Sequence, residues 1–156
     1  METFSYGLWF TVRYVHVASM TVLAGGALTM CTLCLASTTP VEAEPAWAAA
    51  PAYEWTFWSI IGVIVATGVS NLGLKGEGLM GPQTTWGSAL SVKLGLVLLL
   101  IAVSLLRSHF VIRCAMATHR RATARARALL ATLYGLTLAL VLAALWIGLG
   151  LAHGRY

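Results

Sequence analysis

Few residues of this chain have chemistry to offer, and most of those sit in apolar surroundings. Lys93 lies inside "SALSVKLGLVLLLIAVSLL", Ser88 to Leu106. There an ammonium group costs about 2.5–3.5 kcal/mol at a helix centre, so it reads as functional by default. His16 lies in "RYVHVASMTVLAGGAL", and at helical spacing Arg13, His16 and Met20 share one face. Gly25 and Gly26 follow, and their bare backbone would let a second helix or a flat ligand approach closely. Trp86 shares a face with Lys93, and Trp146, Gly150 and His153 share one near the end of the chain. Imidazoles flanked by cations and glycines suit haem b, with imidazole on the iron and Arg13 and Lys93 paired with the propionates. His16 and His153 would form a bis-His pair if their helices are neighbours. A snorkelling Arg13, an interfacial His153 and a His16 bonded to another helix are the plain alternatives.

A second set is softer. "MCTLCL" places Cys31 and Cys34 at i, i+3 on one helix face, and His109 and Cys114 come from the corresponding end of the third apolar stretch. Thiolate and imidazole are donors for Cu(I) or zinc. Two cysteines with no second pair, inside an apolar helix, more often pack as small apolar residues.

Four apolar stretches must position these groups: Leu8–Ala36, Trp55–Leu74, Ser88–Ile112 and Ala128–Ala152. Each is long enough to span a bilayer, which takes about 20 residues. All four prolines (Pro40, Pro45, Pro51, Pro82) fall between them, where helices are expected to break. With 156 residues, 59% of them hydrophobic and 10% charged, and a mean hydropathy of +0.82, the chain reads as one integral membrane domain. The expected fold is all-α, a four-helix transmembrane bundle running up-down-up-down. The apolar run from Val15 is longer than a signal-peptide core of about 7–15 residues, so no cleaved leader is expected.

Arg107, Arg113, Arg120, Arg121, Arg125 and Arg127 cluster between the third and fourth stretches. The positive-inside rule puts that segment in the cytoplasm, and both termini outside with residues 75–87. The 37–54 loop is then cytoplasmic, although it holds Glu42, Glu44 and Glu54 and no Lys or Arg. Arg13, His16, Lys93 and His153 fall in the outer half; Cys31, Cys34, His109 and Cys114 fall in the inner half. The net charge of +5 therefore speaks of topology, and nucleic-acid binding is not expected. "HRRATARARALL" reads as a basic helix resting on anionic lipid. With no Asp and only five Glu, a buried pair of acidic catalysts is not expected, and three cysteines make no disulfide framework. There is no GxSxG, phosphate loop or HExxH. Gly62, Ala66 and Ser70 form a small-residue ridge expected to pack a helix.

"WFTVRYVHVASMTVLAGGAL" resembles the first helix of the copper-resistance D (CopD) family, with a His followed by small residues and a double Gly. "IIGVIVATGVSNLG" is similar to their second helix, and "TTWGSALSVKLGLVLLLIAVSLLR" to their third, an aromatic-Gly, a Lys and an apolar run closed by Arg. The HemJ type of protoporphyrinogen oxidase is similar in the same His and Lys. The resemblance covers roughly residues 8–107. It implies that His16 and Lys93 are the functional pair, facing each other in the outer half, and it implies a bacterial inner (cytoplasmic) membrane. After Lys93 the next His is His109, further off than the HemJ pattern has it.

The leading expectation is a haem b-binding or metal-binding membrane protein, passing electrons or serving as a subunit of a membrane redox complex. Copper handling is the alternative. A cofactor-free accessory subunit and a HemJ-like oxidase stand behind it.

Overall fold

The computed structural model describes residues 2–74, 83–116 and 123–153, with side chains except those of residues 2–5 and 74. These residues form four helices: α1 (Glu2–Ala36), α2 (Glu44–Leu74), α3 (Thr85–Met116) and α4 (Ala124–Ala152). No strand occurs among the described residues. All four helices are long and apolar enough to cross a membrane, which makes the chain a multi-pass membrane protein. A helix is what such sequences must form in lipid, because it alone satisfies its backbone N–H and C=O groups within one segment. Side chains finish the ends where water returns. Thr123 caps α4 by accepting the Ala126 N–H, and Thr84 does the same for α3 with the N–H of Gly87.

The largest departure from expectation is in α2. It starts at Glu44 rather than near Trp55, so it takes in Pro45, Pro51 and Glu54. Pro45 sits in the first turn, where its missing N–H would be unpaired in any case. Pro51 is inside the helix and removes the N–H that would bond the Trp47 carbonyl. Packing offsets that loss, since Ala46, Trp47, Ala50, Tyr53, Glu54 and Phe57 are all buried. Glu54 is therefore a helical core residue and not part of a loop.

The α1–α2 connection is correspondingly short and tied down by Glu42. Its carboxylate accepts from the Thr38 N–H (2.7 Å), the Thr38 hydroxyl (2.9 Å) and the Thr39 N–H (3.3 Å). These donors hold its pKa below the ordinary carboxylate range although it is fully exposed. A depressed folded-state pKa contributes stability that is present above the unfolded value and lost as pH falls through the folded one. Glu42→Gln is therefore expected to melt slightly below the parent at neutral pH, and the gap should close on acidification below the ordinary carboxylate range. Paired thermal melts across pH check this.

α1 packs most extensively against α4 and then α2, α3 packs against α4, and α2 packs only sparsely against α3. Cross-helix contacts fall on three levels. At one, Trp47 of α2 meets Phe110 of α3, and Cys31 of α1 lies against α4 at Ala131 and Gly135. At the middle level Tyr53 meets Gly26 of α1 and Tyr134 of α4. At the third, His16 meets Thr67 and Lys93 meets Gly148. Large apolar side chains such as Trp55, Leu98, Leu106 and Trp146 point outward, as a lipid solvent allows. The Gly62–Ala66–Ser70 ridge also faces outward, so within this chain it packs no helix.

Gly26 is needed for the middle level. A Cβ there would stand 2.8 Å from Cε2 and 3.2 Å from Cδ2 of Tyr53. That ring is boxed in by Phe57 and Tyr134 and cannot retreat freely. Gly26→Val is expected to cost about 1–3 kcal/mol by overpacking. Gly25→Val, whose Cβ would meet nothing within 4 Å, is expected to leave the thermal midpoint in detergent close to the parent's.

Candidate functional site

The ionisable groups within the spans divide by whether the protein satisfies them. At the middle level Arg107 of α3 is fully buried and paired with Glu54 of α2. Arg107 Nε donates to Glu54 Oε1 at 2.7 Å, Nη2 to Oε2 at 3.2 Å, and Nη1 to Thr137 Oγ1 of α4. The carboxylate also accepts from the Tyr134 hydroxyl and from Ser108, whose hydroxyl in turn accepts the Trp58 indole N–H at 2.9 Å. The guanidinium lies over the Phe57, Tyr53 and Tyr134 rings at 4.5, 5.1 and 5.2 Å. Each carboxylate oxygen thus accepts two hydrogen bonds, and the cation has an anion on its edge and aromatic rings on its faces. Every nitrogen of the guanidinium and both carboxylate oxygens have a partner inside the protein. This cluster ties α2, α3 and α4 together.

Sequence reasoning placed neither member of this pair. Glu54 was expected in a loop and Arg107 among the cytoplasmic arginines. The available signal was position: Glu54 immediately precedes one apolar stretch, and Arg107 closes the apolar run of another. Pairing between distant segments has no local signature.

His16 and Lys93 are different. Both are half-buried, and Lys93 is near enough for its charge to act on the imidazole. His16 Nδ1 lies 2.9 Å from Thr67 Oγ1 of α2. The Thr67 hydroxyl also lies 2.7 Å from the Val63 carbonyl. When it donates there, Nδ1 is the donor to Thr67 and Nε2 keeps its lone pair, the arrangement a metal-ligating imidazole needs. His16 lies over Gly68, with Cε1 3.6 Å from where a Cβ would stand, and Lys93 lies over Gly148, with Nζ at 3.0 Å. A side chain at Gly148 would meet the ammonium group. Among the described residues Lys93 has no hydrogen bond and no anion. The donor set, one imidazole with a free lone pair beside one unpaired cation, fits a metal-bearing ligand that also carries carboxylates.

The other candidates are more scattered. Arg13 stacks its guanidinium over Trp9 at 4.4 Å, one turn from His16. His153 is exposed and donates through Nδ1 to its own helix at the Leu149 carbonyl (2.8 Å). It lies five residues beyond Gly148, about 7.5 Å further along α4 at a helical rise of 1.5 Å per residue. No hydrogen bond joins it to His16 among the described residues. His109 accepts at Nε2 from Arg113 Nε (3.0 Å), so its Nε2 lone pair is in use. Cys31 donates to the Ala131 carbonyl, while Cys34 and Cys114 are buried. Among the described residues no three His, Cys, Asp or Glu side chains gather closely enough to hold a metal ion. His119, Arg120 and Arg121 lie outside the described residues.

No protein-family model, curated protein or solved structure matches the chain.

Proposed function

We propose that this chain binds haem b between α1, α2 and α3, where His16 Nε2 would hold the iron and Lys93 would pair with a propionate, and that it works in electron transfer or as a subunit of a membrane redox complex. The observation that carries this reading is the contrast between the two intramembrane polar sites. Arg107 and Glu54 neutralise each other, whereas His16 bonds the protein through Nδ1 alone and Lys93 has no anion among the described residues. A buried cation without an anion is stabilised by an anionic ligand. Bound there, haem b supplies one-electron redox chemistry.

The protein's own part is positional. Thr67 holds the imidazole tautomer and ring plane. Gly68 and Gly148 keep the backbone clear beside the two functional groups. Arg13, one turn from His16, offers a second cation toward the membrane surface. The resemblance of α1 and α3 to CopD-like and HemJ-like helices points to the same two residues.

We place the helices up-down-up-down in a bacterial inner membrane, with both termini and the His16–Lys93 level on the outer side. The cross-helix contacts at three levels support the first part, and Arg113, Arg125 and Arg127 at the opposite end support the second.

The test is the visible spectrum of the detergent-purified protein from haem-replete cells, oxidised and then dithionite-reduced. A Soret band with a sharp α band on reduction is expected. A featureless spectrum overturns the haem reading, and copper found by elemental analysis of that sample would put the copper-handling reading in its place.

A further inference from the structure

A groove of about 300 Å³ runs along the seam of α3 and α4, at the end of the bundle away from His16. Leu106, Phe110, Leu129 and Leu133 make its apolar walls, and His109 and Arg113 line it too. Arg113 gives its Nε to His109, and both of its terminal nitrogens are without a protein partner among the described residues. Arg125 lies one turn before Leu129 on the same face of α4, is exposed, and likewise has no partner among the described residues. The groove therefore has an apolar length along the spans, Arg113 in its lining, and Arg125 one turn before Leu129 on the way to the end of α4. Arg127 is not part of it, since its guanidinium turns toward α1 and donates to the Thr38 carbonyl at 3.0 Å.

We propose that this groove is a binding site for an anionic phospholipid, with the phosphate on Arg113 and Arg125 and an acyl chain along Leu106, Phe110, Leu129 and Leu133. Charge and shape both select this occupant. Guanidinium forks match phosphate oxygens, and the exposed Leu106 and Leu129 leave the apolar channel open on the outer surface of the bundle. A zwitterionic lipid fills the same apolar channel but brings its own cation to the two arginines.

The experiment is native mass spectrometry of the full chain in detergent, titrated with phosphatidylglycerol and with phosphatidylcholine. Each arginine near the surface contributes about 1 kcal/mol toward an anionic lipid, so phosphatidylglycerol is expected to bind about thirtyfold tighter. The double variant Arg113→Gln, Arg125→Gln is expected to lose that preference, both positions being exposed and tolerant. Leu129→Trp, which narrows the groove and leaves both charges, is expected to weaken both lipids. Inorganic phosphate is expected not to displace phosphatidylglycerol. Equal affinity for the two lipids overturns the site, as does a preference that survives the double substitution. Unchanged binding in Leu129→Trp shows charge attraction without a groove, and displacement by inorganic phosphate shows a headgroup site without a lipid; either outcome overturns it too.

Discussion

Arg107→Met, made alone, is expected to lower the stability of the bundle by about 3–5 kcal/mol, because Glu54 is left buried as an unpaired carboxylate. Few single substitutions in this chain reach that size, since most core positions are small alanines or flexible aliphatics. Glu54→Gln should be milder. The amide keeps an acceptor for Tyr134 or Ser108, but the guanidinium loses its counter-charge. The informative variant is the double one, Glu54→Met with Arg107→Met. Removing both charges lifts the desolvation cost along with the attraction, so it should melt well above either single variant. Denaturant or thermal unfolding in detergent, read as a double-mutant cycle, measures the coupling. A coupling near zero would mean that the two groups are independently solvated and do not hold α2 to α3.

The second large effect is at His16. His16→Ala is expected to abolish the Soret band outright, because neither His109 nor His153 lies at that position among the described residues. Thr67→Val keeps the shape but removes the acceptor that fixes Nδ1–H, and is expected to weaken haem binding about 10–100-fold. Lys93→Gln should keep the band and weaken affinity, since it removes charge and not a ligand. His153→Ala should leave the spectrum unaltered, given its place about a turn and a half along α4 from Lys93 and its exposure. A band that survives in His16→Ala would refute the assignment. A band lost in all four variants would point to a folding defect, which a melt of the same samples would reveal.

How far the sequence led to these sites depends on what kind of signal each carries. α1, α3 and α4 are legible as apolar runs, since the bilayer imposes a length and a composition that can be read without knowing the neighbours. The first turns of α2 were not legible. Pro51 and the charged residues around it read locally as a loop, and tertiary burial overrides that reading. Lys93 and His16 stood out because each is an isolated polar group in apolar sequence. Arg107 did not, because it is followed by further arginines, among them the exposed Arg113 and Arg125, and nothing local separates the buried one from them. The Arg107–Glu54 pair spans 53 positions of chain, and only the fold brings its members to 2.7 Å.

The packing of α1 chiefly against α4 bears on how the protein is made. Of the four helices, the one made earliest finds its most extensive partner in the one made latest. Until α4 arrives, Tyr134 and Thr137 are missing from the Arg107–Glu54 cluster, and the face of α1 around Cys31 has no neighbour. The nascent chain must therefore hold three spans in the membrane with their polar interior incomplete. Truncations ahead of α4 are expected to be recognised as unfinished and degraded.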